Sequence, residues 1–481
     1  MNPEPVHTDI AVVGAGPAGL SAAVAAAVAG ASVTVIDAYS QPGGQYFRQP
    51  NPAVDPDPQE PRPRAGRELR HKAEAAGVRF LNRTVVWGAF EDLRLAAYRE
   101  DTAQAIELQA DAIILAPGTY ERVAAFPGWT LPGVITTGAA QTLLKEQRLL
   151  PGQRIILAGT GPLQLVTAAA LVKAGAQVVA VLEGASPGEA ILRQPGQTLA
   201  AVWGQSTRLK EGWQSWRTLK KAGVPYHRGW GIIAAEGKDS LQAVRIARLD
   251  RQWRPIPGTE RRLEADTLCL NYGFTPATEL AQLFGVQLHW RPAQGGFVPR
   301  RDEQMQTNVP GLFIVGDGAG VGGAELAMVE GQIAGLAAAR QVLGDSTLTR
   351  RIEALQPALR REQRFQQFYA RLFTPGPGLD ELAAGDTPIC RCEGVSKATI
   401  VQTIHAGADT MHAVKAVTRC GMGNCQGRVC GPLVAAILAQ ETGQSPERVG
   451  QFRARTPIFP VPLTAFTVLT TEGAESAESR N

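Results

Sequence analysis

Two stretches of this 481-residue chain repeat one pattern, and that pattern leaves few folds open. The first begins at His7 with a short apolar strand to Val13, enters Gly14-Ala15-Gly16-Pro17-Ala18-Gly19, and continues as an alanine-rich helix to about Ala29. Gly30 stops the helix, 32–36 reads as a second strand, and Asp37 closes it 23 residues beyond Gly14. A lone G-x-G-x-x-G says little. With a strand before it, a helix after it and an acid at this distance, it marks a dinucleotide-binding βαβ unit. The glycines let the backbone approach a pyrophosphate at the helix N-terminus, and Asp37 can accept hydrogen bonds from ribose hydroxyls. The uncharged run 10–36 is long enough to span a bilayer, but its glycines, its proline and its strand–turn–helix rhythm argue against a membrane span.

The second unit starts at Arg154. A strand over 155–158 leads to Gly159-Thr160-Gly161-Pro162-Leu163-Gln164, a helix to about Ala174, a strand over 177–182 and then Glu183, 24 residues after Gly159. Gln164 stands where the third glycine belongs, which weakens close strand–helix packing. Gly159, Gly161 and Glu183 are the candidate contacts for NAD(H) or an adenine nucleotide; an empty vestigial site is equally compatible.

Near the C-terminus lie Cys390-x-Cys392 and, 32 residues later, Cys425-x4-Cys430, whereas the first 389 residues hold only Cys269. Thiols clustered this way suit a site where several thiolates meet. We read Cys390, Cys392, Cys425 and Cys430 as ligands of a [2Fe–2S] centre. Structural zinc prefers two Cys-x2–4-Cys knuckles, and a chain this long needs no disulfides to hold a core. Cys420 is expected to stand aside, and Cys269, in an apolar run, to be a core residue. Short helices are expected over 397–405 with Ser396 as cap, from 409–410 to about 418, and from about 431, so the cysteine loops lie near helix N-termini that favour an anionic cluster. Lys415, Arg419 and Arg428 would add positive charge.

The segments Ile389-Cys390-Arg391-Cys392-Glu393 and Thr418-Arg419-Cys420-Gly421-Met422-Gly423-Asn424-Cys425-Gln426-Gly427-Arg428-Val429-Cys430 resemble a bacterioferritin-associated-ferredoxin-like domain. The version they most resemble is fused to flavoprotein subunits of opine oxidases, hydrogen cyanide synthase, D-hydroxyproline dehydrogenase and heterotetrameric sarcosine oxidase (its alpha chain). Arg455-Thr456-Pro457-Ile458-Phe459-Pro460-Val461-Pro462-Leu463 also fits those subunits. The stretch from Pro310 to Gly318, an apolar strand ending in Gly316-Asp317, resembles the second FAD motif of glutathione-reductase-like flavoproteins, whose aspartate holds the ribityl chain. The run 113–119 resembles the strand crossing between that fold's two domains, with Ala-Pro-Gly (ending at Gly118) in place of Ala-Thr-Gly. Pro42-Gly43-Gly44-Gln45 resembles the segment beside the flavin.

The resemblance implies an α/β protein with two dinucleotide-binding, glutathione-reductase-like domains and a small helical [2Fe–2S] domain. The expected boundaries are 1–120 with 300–345 for FAD, 121–299 for the second nucleotide unit, 346–385 as linker, 386–445 for the cluster and 446–481 as extension. It also implies an electron-transfer subunit in a hetero-oligomer, with a second flavoprotein subunit carrying the site that oxidises an amine or amino-acid-derived C–N bond. The alternative is a stand-alone NAD(P)H-dependent oxidoreductase.

Lys+Arg 48 against Asp+Glu 44 gives +4, too balanced for a nucleic-acid binder. Nothing at the N-terminus reads as a secretory signal, so the cytoplasm is the expected compartment. The region after the first motif lacks the Cys-x4-Cys of disulfide reductases, and no residue set reads as a catalytic nucleophile or acid–base pair, so no catalytic residue is assigned. The proline-rich loop 51–64 and the segment 455–463 are candidate docking surfaces.

Overall fold

The structure, a computed structural model, describes residues 6–51, 53–54, 61–188, 191 and 195–469. The first glycine-rich motif sits in a seven-stranded sheet. Its order is Arg79–Leu81, Val33–Ile36, Val6–Val13, Gln104–Leu115, Arg94–Arg99, Thr84–Phe90, and Leu312–Ile314 pairs with Gln104–Leu115 as well. The 12-residue strand Gln104–Leu115 serves two partners: its first part pairs antiparallel with Arg94–Arg99, its second part parallel with Val6–Val13. Val6–Val13 turns into the helix Pro17–Val28, which packs on the helix Ala324–Leu343 through small residues. A Cβ added at Gly331 or Gly335 would strike the backbone of Ala18 or Ala22 at 2.2 and 2.3 Å. The alanine-rich composition of both helices thus permits their close approach.

The second motif lies in a five-stranded parallel sheet ordered Tyr226–Arg228, Gln177–Glu183, Arg154–Gly159, Thr267–Asn271, Val134–Thr136. An antiparallel ribbon of Trp230–Glu236, Ala243–Arg248 and Arg261–Glu264 accompanies it. The chain passes between the two domains through Thr119–Glu121 and Phe274–Pro276, which pair antiparallel.

The 346–385 segment is more than a connector. It forms the 26-residue helix Leu348–Phe373, which buries Leu348, Ile352, Leu359, Glu362, Gln366 and Ala370. These residues recur at helical spacing, but two are polar, so the stripe is faint in the sequence.

In the cysteine domain, Ser396 caps Lys397–His405 by accepting from Thr399 N, and Thr410 caps Met411–Thr418 by accepting from Ala413 N. The third helix, Cys430–Thr442, begins at a cysteine itself. Part of the 51–64 loop (residues 52 and 55–60) lies outside the described residues.

Candidate cofactor sites

At the first motif the three glycines separate by task. A Cβ on Gly14 would lie 2.3 Å from Ala116 O, and one on Gly19 would lie 1.8 Å from Gly14 O, so both close the fold on itself. A Cβ on Gly16 meets nothing nearer than Gly44 Cα at 4.0 Å. The space over Gly16 is therefore free of protein side chains, as a pyrophosphate approaching the backbone requires. Asp37, buried at the end of its strand, accepts from Ala15 N at 2.5 Å and Tyr39 N at 2.8 Å, which fixes the loop. Burial raises its pKa against the pull of both amides and of Arg48.

Gly43 and Gly44 continue this surface. Gly44 has φ +58, and a Cβ there would fall 2.9 Å from Gly16 Cα, so the turn and the glycine loop touch backbone to backbone. Gln45 is held from the side: its Oε1 accepts from Arg48 Nε at 3.0 Å and Nη2 at 2.6 Å. Gly118 opens onto free space at φ +73. The proline that replaces the usual threonine before it packs against Gly318, where a Cβ would lie 2.7 Å from Pro117 Cγ. Gly316 N donates to Glu330 Oε2, and half-buried Asp317 accepts from Gly322 N and Gly323 N, both at 2.9 Å. Desolvation raises the Asp317 pKa. Thus Gly14, Gly16, Gly19, Asp37, Gly43, Gly44, Gly118, Gly316 and Asp317 form a continuous glycine-lined cradle closed by two acids, and the cradle fits FAD.

The second motif is arranged differently. Glu183 accepts from Gly161 N and Ala185 N, each at 2.9 Å. The place above Gly161 is taken: a Cβ there would meet the Tyr369 hydroxyl at 2.5 Å. Gln164 is buried, and its amide has no hydrogen-bond partner among the described residues.

The cysteine site gathers more thiols than expected. The sulfurs of Cys390, Cys420 and Cys430 lie within 4.8 Å of one another, all three residues buried. Cys392 and Cys425 flank this group on the two cysteine loops, and Gly423, two residues before Cys425, packs against Cys392. Cys420, expected to stand aside from the ligand set, lies directly beside it. Arg419, at φ +62, ends its helix in the left-handed conformation and turns Cys420 inward. Hydrogen bonding from Cys430 pulls the Cys425 thiol down to about 5, the direction a thiolate ligand needs.

The loop's glycines have a second task. A Cβ on Gly421 or Gly427 would lie 2.7 or 2.6 Å from the Phe452 ring, and one on Gly423 would lie 2.2 Å from Cys392 Cβ. Phe452 therefore lids the cysteine loop from the C-terminal extension, a contact that no local motif signals. Each of the three basic residues has its own partner: Arg419 pairs with Glu393 at 3.0 Å, Lys415 lies over Phe452, and Arg428 pairs with Glu279 at 3.0 Å. Cys269 is fully buried in its strand, as expected of a core residue.

These geometries agree with the comparisons. The pyridine nucleotide-disulphide oxidoreductase family matches residues 8–342. The chain belongs to that family. A BFD-like [2Fe-2S] binding domain matches residues 388–440 of this flavoprotein oxidoreductase. Among curated relatives, hydrogen cyanide synthase subunit HcnB of Pseudomonas aeruginosa is 34% identical, over 98% of this chain and 100% of that one. An opine oxidase subunit from Agrobacterium tumefaciens is 34% identical, over 95% and 90%. L-proline dehydrogenase from P. horikoshii shares the fold at a TM-score of 0.69, with 20% identity over 96% of this chain and 80% of that one. The two matches give the chain FAD and a [2Fe–2S] cluster as its cofactors. No helix among the described residues is long and apolar enough to cross a membrane.

Proposed function

We propose that this chain is the FAD- and [2Fe–2S]-containing electron-transfer subunit of a heteromeric, cytoplasmic enzyme that oxidises an amine or amino-acid-derived substrate at a C–N bond. Two relatives similar over nearly their whole lengths carry the names of hydrogen cyanide synthase and opine oxidase subunits, which supports a multi-subunit assembly. The observation that carries the reading is the junction between cluster loop and flavin cradle. Arg428, two residues before Cys430, donates to the hydroxyl of Tyr120, two residues beyond Gly118, at 2.7 Å. The cluster domain is thus built onto the flavoprotein rather than strung beside it.

Bound FAD supplies two-electron and one-electron redox chemistry, and the cluster supplies one-electron transfer. The chain's own residues orient and insulate. Gly14, Gly16 and Asp37 shape the pyrophosphate loop, and Gly43, Gly44 and Gln45 form the wall beside the flavin. Cys390, Cys392, Cys425 and Cys430 hold the cluster, with Cys420 against them.

The same reading calls for a surface on which a second flavoprotein can dock. The segment 455–463, expected as a docking candidate, is strapped to this chain's own core: Ile458 is buried, its N–H donates to Trp87 O, and Phe459 lies beneath Arg428. The helix Ser206–Lys221 instead exposes Leu209, Trp213 and Trp216 at i, i+4 and i+7, with Trp203 close by in sequence and 76% exposed. Arg217 and Lys220 stack on Trp213 and Trp216. A partner flavoprotein with an apolar patch rimmed by acids would match this face. The end of the expected 51–64 loop is helical instead, and Arg62, in the first turn of the helix Pro61–Ala75, pairs with Glu211 of Ser206–Lys221, which makes the two helices one continuous surface.

The test is dye reduction with sarcosine, octopine, hydroxyproline, proline and glycine. FAD- and cluster-replete chain should be inactive alone and active with the flavoprotein subunit encoded beside it. Turnover by the isolated chain at about 1 per second or faster would refute the subunit reading.

A further inference from the structure

The two glycine-rich motifs are alike in sequence and opposite in availability. Over Gly16 the nearest atom to an added Cβ is a glycine Cα at 4.0 Å, whereas over Gly161 it is the Tyr369 hydroxyl at 2.5 Å. The second glycine of such a motif is the one whose backbone the pyrophosphate must approach, so Tyr369 stands where that group would lie. The backbone is also engaged: Gly161 N donates to Glu183 Oε2, while in the first motif the acid takes Ala15 N instead. Glu183 is the residue that would receive ribose hydroxyls.

Tyr369 is not a loose side chain. It sits on the helix Leu348–Phe373 in a ladder of rings, with Phe373 at 4.9 Å and Phe365 at 6.5 Å between centroids. The same helix is anchored by buried Glu362, which pairs with Arg208 at 2.8 Å and accepts from Gln205.

We propose that Tyr369 is the specificity-determining residue of the second dinucleotide motif, its hydroxyl filling the pyrophosphate position and closing the loop to nicotinamide dinucleotides. On the subunit reading given above, this keeps the NAD(P)H pool from feeding electrons into the chain, which then receives them from its partner. The Gln164 amide and Thr160 Oγ1, both buried and without a hydrogen-bond partner among the described residues, would welcome a polar ligand, so the wild-type titration is the first arm of the test.

Full-length, FAD- and cluster-replete protein is titrated calorimetrically with NADH and, separately, with ATP, and flavin bleaching by NADH is followed anaerobically. Wild type should show no saturable binding and no bleaching beyond that of free FAD. Tyr369→Ala should gain saturable binding, at least about tenfold tighter than any wild-type signal, and Tyr369→Phe, which frees only the volume of a hydroxyl, should remain closed. Should Tyr369→Ala lose flavin or cluster, Tyr369→Leu is read by the same criteria, since it keeps apolar packing and withdraws the tip. Saturable wild-type binding that Gly161→Val abolishes would overturn the proposal. So would a Tyr369 variant that retains both cofactors yet binds neither nucleotide. These titrations use the isolated chain without amine substrate, so they report on the loop whether or not a second flavoprotein exists.

Discussion

The Arg428 guanidinium donates to the Tyr120 hydroxyl at 2.7 Å and so ties the cysteine loop to the two-stranded link between the nucleotide domains. Arg428 is almost wholly buried, stacked on the rings of Tyr120 and Phe459 and paired with Glu279 at 3.0 Å. Arg122 and Trp129 reinforce the junction, Arg122 by pairing with Asp380 at 3.0 Å and Trp129 by donating to Pro388 O at 2.6 Å. Arg428→Ala should destabilise the protein by about 3 kcal/mol, because it leaves Glu279 buried without its cation. Arg428→Lys should recover only part of this, since one ammonium cannot reproduce the fork. Anaerobic urea unfolding followed through flavin and cluster absorbance measures both. A loss below about 1 kcal/mol would show that the junction is peripheral.

The flavin cradle predicts an asymmetric pair of variants. Gly16→Val puts a branched side chain into the one opening over the glycine loop and should abolish FAD absorbance while sparing the cluster. Asp317→Asn keeps the shape that holds Gly322 and Gly323 but removes the carboxylate, so it should weaken flavin retention with little loss of fold. Asp317→Ala should be worse, since two half-buried amides lose their acceptor at about 1 kcal/mol each. Flavin-to-protein ratios after gel filtration decide it. Full FAD in Gly16→Val would mean the site lies elsewhere.

For the thiols, serine at Cys390, Cys392, Cys425 or Cys430 should abolish the EPR signal of the reduced cluster. Cys420→Ser should keep a cluster but alter its spectrum, because the Cys420 sulfur lies within 4.8 Å of those of Cys390 and Cys430. Loss of the cluster in Cys420→Ser, with retention in Cys425→Ser, would exchange the two in the ligand set.

Much of this was legible in the sequence because it is local. Each glycine motif is bracketed by a change from alternating to helical periodicity and ends on an acid, and the caps Ser396 and Thr410 act within three residues of themselves. What escaped depends on contacts far along the chain. Tyr369 over Gly161, Phe452 over the cysteine loop and Arg428 on Tyr120 are each supplied by a distant element, and nothing near them announces the pairing. That Cys420 lies beside the expected ligands was not legible for a related reason: spacing counts residues, whereas the left-handed Arg419 decides which way the next side chain faces. The stretch taken as a linker hid a helix because Glu362 and Gln366 occupy its buried face.

Stability should fall as pH rises from about 4.5 to 7. Burial lifts the Glu183 pKa from 4.5 to about 7. In that window the folded chain keeps a proton that the unfolded chain has released, so raising the pH favours unfolding. Asp37, Glu121, Glu279 and Asp317 are also raised by burial and act in the same direction. Glu183 alone contributes up to about 3 kcal/mol between the two ends. Thermal melts at pH 5 and pH 7.5 should therefore favour the lower pH, and Glu183→Gln should narrow the difference. A higher melting temperature at pH 7.5 would contradict the assignment.

The exposed face of Ser206–Lys221 gives the last prediction. Leu209, Trp213 and Trp216 share one side of the helix, while Ser215 and Leu219 are buried on the other, so the aromatic residues are not needed to attach the helix to the domain. Removing them should leave the fold, the flavin and the cluster intact. Tryptophans flanked by arginine and lysine are typical of interface anchors, and truncating one commonly costs about 2 kcal/mol or more of binding. Trp213→Ala with Trp216→Ala should then weaken association with the second flavoprotein subunit by about thirtyfold or more, since about 1.4 kcal/mol is a factor of ten. Reversing charge at Lys220 and Lys221 should slow association and reduce its salt dependence, as expected for rim charges that steer an acidic partner. Size-exclusion and surface-binding measurements on cofactor-replete protein test both, with flavin and cluster content as the folding control. Unchanged affinity in the double tryptophan variant would place the partner on another face.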